Sequence, residues 1–458
     1  MTMTRRLTLA LALILALAVL AGCAGRRPLP PTDDGDVRDV LELPQSASAY
    51  LNPLTADLPL VPDEVQAKAA ARFAKAWFGP WNATAPRHPK DDALWGLRAF
   101  SSNSTWGYNH RKVPAAELEA LKANVDPDTY PNLVHPGIAV RDLDLRVLPT
   151  EEPLFQDFAK AGQGLPFDLN QNTKTWEQTP LLVVHASADR AWYLVETPTA
   201  AGWVPSRDVA LCDPGFIRLF ATLRLAAVVR DRTPVADPYG RFRVLARLGM
   251  VLPLINVEGG DAGGLDVLLA DRDLHGSAVP LFTRLAPETA RPLPLPLTAR
   301  QVAGLADQLV GQPYGWGGVW GGRDCSSTLQ DLFIPFGLLL PRNSAAQGRA
   351  GAGEDLAGLD DAAKEAAIAA RGVPFLSLLH RPGHILLYLG QRDGRAVALH
   401  TVWGVRTTDF SGPTPGRKVI GRTVITTLVP GRELARFDPE GSLLRGVDRL
   451  TLPLAPVR

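Results

Sequence analysis

The apolar positions of this chain change period several times, and each change marks an element. Behind Arg5-Arg6, Leu7 to Leu20 is a largely apolar run of 14 residues. That is too short for a typical membrane-spanning helix and is ordered like an export signal. Val65 to Phe78 (VQAKAAARFAKAWF) puts Val65, Ala69, Phe73, Ala76 and Trp77 on one helical side, and Gly79-Pro80 ends it. Ala115 to Asn124 is a second helical stretch. From about Pro131 the pattern shortens and alternates. Ala191 to Glu196 reads as a strand, turned at Ala200–Gly202 into Trp203-Val204. Phe242–Ala246 and Leu265–Leu269 continue the β character, with Glu258 to Gly264 as a hairpin tip between them. Pro292 to Pro296 is a stiff linker, after which a helix is predicted over Ala299–Val310. Leu329, Leu332, Phe333 and Phe336 then fall at i, i+3, i+4 and i+7, one face of a helix that opens at Cys325. Asp360–Ala370 is another helix. Gly383–Gly390, Arg395–Gly404 and Val419–Leu428 are strands.

Composition adds limits. A length of 458 residues suits about three domains, and 46% hydrophobic with 21% charged content describes a globular chain. A formal charge of +1 gives no electrostatic case for nucleic acid. Forty-one glycines and forty prolines imply many turns and short strands.

The chemistry gathers around Pro313–Phe336, where a glycine-rich loop leads through Asp324-Cys325-Ser326 into the helix. A thiol at a helix N-terminus meets unpaired N–H groups and the positive end of the dipole, which favour the thiolate. A free cysteine is also a common core residue, and the downstream histidines tip the balance. Only His380, His384 and His400 follow Cys325. Asp393-Gly394 signals a hairpin between the strands holding His384 and His400. A three-residue loop sets Gln391 opposite Arg395 and His384 opposite Val402. His400 then lies diagonally beside His384 on one sheet face, ~7–8 Å between Cα atoms. A two-residue loop would put the two histidines on opposite faces. In the first arrangement His400 orients His384, which serves Cys325 as base. His380-x-x-x-His384 has the spacing of a helical zinc pair, but Pro382 and Gly383 lie between. Cys325, His384 and His400 also match a Cys/His₂ zinc set, without an acidic or second cysteine partner. The glycine run lacks the Gly-Lys-Ser/Thr ending of a phosphate loop.

These residues resemble the NlpC-type cell-wall peptidases, papain-like cysteine peptidases that cut peptidoglycan stem peptides. Tyr314-Gly315-Trp316-Gly317-Gly318 with Arg323-Asp324-Cys325-Ser326-Ser327 looks like the family's YxWGG…DCS motif. Leu340 to Ser344 is similar to its LPR[DT]S motif, Gly383-His384-Ile385 to its histidine strand, and Ala398-Leu399-His400 to its third position. The layout resembles the branch in which an N-terminal stabilising segment and two bacterial SH3-like domains precede the peptidase. Phe167-Asp168 with Gln171 is similar to a further motif of that branch. The resemblance implies a multidomain α+β chain: a helical N-terminal segment (41–128), SH3-like β-barrels (129–212 and 213–291), a papain-like α+β peptidase domain (298–440) and a tail (441–458). It implies hydrolysis of the D-γ-glutamyl–diamino acid bond with Cys325 as nucleophile, His384 as base and His400 as its orienter. Tyr314 would sit by the nucleophile, and Asp324 and Ser326 would meet the substrate's free amine. Asn343 and Ser344 would lie in the substrate site, with uncharged Asn343 departing from the motif. The backbone N–H of Cys325 would supply part of an oxyanion site. No cofactor or metal is expected.

Leu20-Ala21-Gly22-Cys23 looks like a lipoprotein lipobox, so 1–22 reads as a signal, Cys23 as the lipid-bearing residue and 23–40 as a tether. The expected setting is the periplasm-facing side of a Gram-negative outer membrane, as a monomer acting on murein peptides with a free N-terminal L-alanine. Cys212 is left without a partner, so no structural disulfide is expected. Trp106 and Tyr108 are candidates for a substrate mouth. Two other functions remain open on the sequence: an acyltransferase or amidase on the same fold, and a non-catalytic wall-binding scaffold.

Overall fold

The alanine-rich helix forms over Asp63–Trp77, starting two residues before its first apolar position. Pro62 sets the entry, and Asp63 and Glu64 occupy the first turn, where negative charge meets the positive end of the helix. Its buried side (Ala69, Phe73, Ala74, Trp77) faces the body of the protein, with Phe73 stacked on Trp77 at 5.5 Å. Gln66 on the same helix donates to the carbonyls of Leu295 (2.6 Å) and Phe336 (3.1 Å), so the N-terminal segment grips the proline linker and the C-terminal domain. The computed structural model describes residues 35–160, 162–221, 224–256, 263–409 and 412–455, with backbone alone at 256, 409 and 412–415. The apolar run at 7–20, Cys23 and the tether up to residue 34 lie outside the described residues.

Two β domains follow. The first is a seven-stranded antiparallel sheet in the spatial order Gln171–Thr175, Leu143–Arg146, Ala201–Pro205, Trp192–Glu196, Pro180–Ala186, His135–Ala139 and Val209–Leu211. Its interior holds Leu143, Leu145, Leu181, Val183, Val195, Val204 and Val209. The second has a five-stranded sheet (Ala278–Leu285, Leu265–Arg272, Val251–Asn256, Leu225–Val228, Ala290–Pro292) and a two-stranded ribbon. Here the sequence reading needs correction. Phe242–Ala246 pairs with Thr233–Ala236, and the partner of Leu265–Arg272 across the glycine-rich tip is Val251–Asn256. Pro253 sits within that strand, and a proline argues against a strand when only the pattern is read.

The C-terminal domain is a six-stranded antiparallel sheet in the order Ala352–Asp355, Arg449–Leu452, Leu378–Arg381, His384–Arg392, Arg395–Asp409 and Gly412–Thr427. The stretch read as a tail therefore supplies an interior strand, Arg449–Leu452, and the sheet is incomplete without it. The helix Cys325–Phe333 lies on this sheet. Leu329, Leu332, Phe333 and Phe336 share one core with Leu378, Ile385, Leu387, Val397, Leu399 and Ile425. Each such side chain contributes ~1.5–3 kcal/mol by leaving water.

One buried polar node joins both β domains to the catalytic one. Arg323, only 3% exposed, donates to Asp331 (2.7 Å), to Asp231 of the second β domain (2.9 Å) and to the Leu248 carbonyl (3.3 Å). Its guanidinium lies 5.2 Å from the ring of Trp176 in the first β domain, and Trp176 Nε1 donates to Asp331 at 2.9 Å. Arg247 also lies over that ring, at 4.6 Å. Removing the guanidinium would leave two carboxylates buried without their cation, a cost of about 3–5 kcal/mol. Arg323→Leu is expected to lower the thermal midpoint markedly, whereas Arg300→Leu, at an exposed pair with Asp57, should leave it nearly unchanged. Similar small shifts for both variants in thermal unfolding would show that the node does not hold the domains.

Candidate active site

Cys325 is placed by a capping box. Asp324 Oδ1 accepts from the Ser327 N–H (2.9 Å), and Ser327 Oγ accepts from the Asp324 N–H (2.9 Å), so the first turn is closed around the thiol. Gln347 Nε2 donates to the Ser326 carbonyl at 2.8 Å, and Thr328 Oγ1 bonds Thr401 Oγ1 at 2.5 Å, tying the helix to the His400 strand. The backbone N–H groups of Ser326 and Ile385 act electrostatically in favour of a Cys325 thiolate, and Ile385 is the neighbour of His384. The preceding glycine loop needs its glycines. Gly317 and Gly318 have φ of 55° and 89°, and a Cβ on Gly318 would stand 2.3 Å from Lys174 Cβ of the first β domain. Gln171 Nε2 donates to the Gly317 carbonyl at 2.9 Å, fastening loop to domain.

The two histidines meet, by a different route from the one the sequence suggests. The hairpin loop is two residues long, with Arg392 opposite Arg395 and positive φ at Asp393 (50°) and Gly394 (75°). Left alone, that loop would separate the histidines onto opposite faces. A bulge between Tyr388 and Gly390 (φ 118°) shifts the register by one residue, so Leu387 faces Leu399. His384 and His400 then share a face, with Nε2 of His384 2.8 Å from Nδ1 of His400. His400 Nε2 in turn lies 3.0 Å from Thr426 Oγ1. The Thr426 hydroxyl donates to the Thr427 carbonyl at 2.6 Å, so it accepts from His400. Neutral His400 therefore carries its proton on Nε2 and accepts from His384 at Nδ1. His384 is left with Nε2 protonated and Nδ1 bare, the tautomer of a base.

Cys325, His384 and Tyr314 open into one cleft of about 640 Å³. Phe167, Asn172, Thr199 and Ala200 of the first β domain form part of its wall, with Trp316 and Trp403 beside them. The ring of Phe167 stands edge-on to Trp316 at 5.2 Å and to Trp403 at 6.2 Å.

Comparison with known proteins agrees with this architecture domain by domain. Residues 12–130 match the N-terminal NLPC_P60 stabilising domain, 153–205 an SH3 domain of SH3b1 type, 213–256 an SH3 domain of SH3b2 type, and 311–421 the NlpC/P60 family. The chain is an NlpC/P60 protein. No curated protein matches it. Among solved structures, an NlpC/P60 endopeptidase from Photobacterium damselae subsp. piscicida superposes with a TM-score of 0.79 at 23% identity, over 89% of this chain and 97% of that one, which shows a common fold. An NlpC/P60 family protein from Bacillus cereus ATCC 10987 is 17% identical over 62% of this chain and 82% of its own, with a TM-score of 0.42.

The NlpC/P60 site is electrically quiet at rest, which corrects the expectation of a resting thiolate. Burial pushes the Cys325 thiol up to about 12, and the neighbouring Asp324 carboxylate adds to this. The N–H groups of Ser326 and Ile385 and the charge of Arg342 oppose the shift without overcoming it. Burial lowers His400 to about 3. Burial, His400 and Arg381 hold His384 well below the usual imidazole range. A neutral thiol and two neutral imidazoles are therefore the resting state. Tyr314 is pushed upward by burial and by the charges of Asp324 and Cys325, so its hydroxyl remains a donor.

The other predicted site residues divide. Asp324, Ser326, Asn343 and Ser344 all line the cleft. Asp324, however, is not available to a substrate ammonium. Its two oxygens already accept from Arg342 Nη2 (2.6 Å) and Nη1 (3.2 Å), the Gly317 N–H (3.2 Å), the Ser327 N–H (2.9 Å) and Ser326 Oγ (3.2 Å). Five donors fill about four lone-pair positions. Asn343 spends its Oδ1 on the Ala346 N–H at 2.8 Å, capping a short helix that begins at Ser344. Trp106 pairs with Phe155 and Lys112, and neither it nor Tyr108 lines the cleft. Trp203 is fully buried in the SH3 core and Cys212 is buried as well. His380 lies on a strand, hydrogen-bonded to Asp448 at 2.6 Å. Among the described residues no cluster of His, Cys, Asp or Glu side chains is arranged to hold a metal ion.

Sequence reasoning missed Arg342, Trp403 and Thr426. Arg342 stands inside a quoted motif, but its partners come from Asp324 and, on the first SH3 domain, Thr173. Such pairing needs the fold. The resting protonation state has a direct consequence for reactivity. Alkylation of Cys325 by iodoacetamide is expected to accelerate steadily from pH 6 to pH 10 and to precede that of buried Cys212 throughout. A rate already at its plateau by pH 7, followed by mass spectrometry, would mean a preformed thiolate.

Proposed function

We propose that this protein is a cysteine peptidase of murein that hydrolyses the D-γ-glutamyl–diamino acid bond of stem peptides. The observation that supports this most strongly is the His384–His400–Thr426 chain, whose His384 opens into one cleft with the Cys325 thiol. His384 takes the Cys325 proton at Nδ1 as the sulfur attacks the scissile carbonyl. The imidazolium then gives that proton to the leaving amine, and the sulfur keeps the acyl group as a thioester. A water molecule, deprotonated by the same nitrogen, releases the acid and restores the thiol. Charge on the tetrahedral oxygen is met by donors at the helix start, the Cys325 N–H among them, with the protonated Tyr314 hydroxyl close by. On the same reading Cys23 bears a lipid that holds the enzyme on the periplasmic side of the outer membrane, and the stretch from Arg26 to Asp36, fully extended, reaches ~35–40 Å; the tether ends before the helix Arg38–Glu42.

The SH3 wall argues for short substrates. Phe167, Asn172 and Thr199 line the cleft, Gln171 fastens their domain to the glycine loop, and on this reading they close one end of it. Since Asp324 is already paired, selection for a free N-terminus rests on this steric wall and not on an ammonium partner. Incubated with the purified protein, free L-Ala-γ-D-Glu-diamino acid peptide is expected to be cut at least about tenfold faster than the same stem joined to disaccharide. Cys325→Ala should cut neither. Equal rates on both, read by mass spectrometry of the products, would contradict the closed end. Cutting at another bond would contradict the assigned specificity.

A further inference from the structure

The cleft lining has a charge pattern that the peptidase chemistry does not use. Arg381, Arg406 and Arg417 all line the cleft, with Arg381 within electrostatic reach of the other two. Arg406 and Arg417 are directly opposite one another on adjacent strands. Like charges in that position repel, so the sheet tolerates a pairing whose loss would stabilise it. Arg381 is drawn below its ordinary value by burial and by both other guanidiniums. The acidic groups nearby do not balance them. Asp438 pairs with Arg406, and Asp448 is bonded to His380 while lying within electrostatic reach of Arg381. Arg381 spends its Nη1 on the carbonyls of Gly441 (3.3 Å) and Ser442 (3.2 Å). Among the described residues no carboxylate is bonded to Arg381 or Arg417. Arg342, the remaining arginine of the cleft, is neutralised by Asp324.

The position of this cluster says which part of a substrate meets it. A leaving amine must receive its proton from His384, so the leaving group lies on the His384 side of the thiol. Arg381 is the cross-strand partner of His384, and Arg417 lines the same cleft within electrostatic reach of Arg381. We propose that Arg381 and Arg417 form a subsite for a carboxylate carried by the leaving-group residue, so that the enzyme requires an anionic group immediately beyond the bond it cuts. This deepens the murein reading and rests on it, since a diamino acid at the end of a stem peptide presents such a carboxylate beside the amine that is released. In the complex a guanidinium–carboxylate pair replaces the repulsion of the free site, so the new attraction and the loss of that repulsion both favour binding.

The test uses the full chain and two peptides: L-Ala-γ-D-Glu-diamino acid with its terminal carboxyl groups free, and the same peptide with them amidated. Wild type is expected to favour the free acid in kcat/KM by about 10- to 100-fold, the scale of one or two charge-assisted hydrogen bonds. Arg417→Gln, at an exposed position where folding is not at stake, should lose most of that preference by slowing the acid and not the amide. Equal loss on both peptides, or no loss on either, would overturn the subsite. Calorimetric binding of both peptides to the Cys325→Ala protein separates this proposal from the peptidase reading. If that protein prefers the acid while wild type cuts neither peptide, the subsite stands and the peptidase reading falls. If wild type cuts both peptides equally and Cys325→Ala binds them equally, the peptidase stands and the subsite falls.

Discussion

The hydrogen bond between His384 Nε2 and His400 Nδ1, 2.8 Å long, is the contact on which the rest of the site depends. It fixes which nitrogen of His384 is free to take a proton, and it does so only because His400 is itself fixed from behind by Thr426. The chain of donors has one consistent direction, ending at the Thr427 carbonyl. Thr426 lies on the outermost strand of the sheet, where an open edge would ordinarily be free to fray. The N-terminal segment covers that edge on either side of it. Gln45 exchanges two bonds with the backbone of Ile425 (2.9 and 3.0 Å), and Asp39 accepts from the N–H of Thr427 at 2.7 Å. Asp39 and Gln45 thus brace the strand that holds Thr426, almost 400 positions away.

The SH3 domains serve the site in a second way. The first supplies part of the cleft wall and the strand against which Gly317 and Gly318 lie. The node at Arg323 then holds that domain, the second SH3 domain and the nucleophile helix in one arrangement. A buried ion pair is weak support for net stability but strongly opposes any rearrangement that would uncouple its charges. This suits a cleft whose walls come from different domains, because a small rotation between them would alter its width.

The helix that opens at Cys325, its apolar face and the strands that carry His384 and His400 were legible in the sequence, since capping, helical period and strand alternation are local. The hairpin shows where local reading stops. Asp393-Gly394 signals a tight turn, and the structure has the two-residue turn that this pair favours. The functional alignment of the histidines survives through a bulge at Leu389-Gly390, which a run of apolar residues does not announce. The same limit applies to Asp324, read as an open carboxylate because its partner Arg342 is eighteen residues away and meets it only in the fold. Arg449–Leu452 looks like a tail because its neighbours in the sheet, Ala352–Asp355 and Leu378–Arg381, are distant in the chain. The resting charge of Cys325 was misread for a related reason. Helix position is visible in sequence, while the burial that outweighs it is not.

The direction of the histidine relay is the claim on which this account stands. It can be observed in the resting protein by nitrogen NMR of ¹⁵N-labelled histidines, with His384→Gln and His400→Gln used to assign the signals. At pH 7 the account predicts two neutral rings, both with the proton on Nε2, and an unprotonated Nδ1 on His384. A proton on Nδ1 of His384, or an imidazolium at either position, would contradict it.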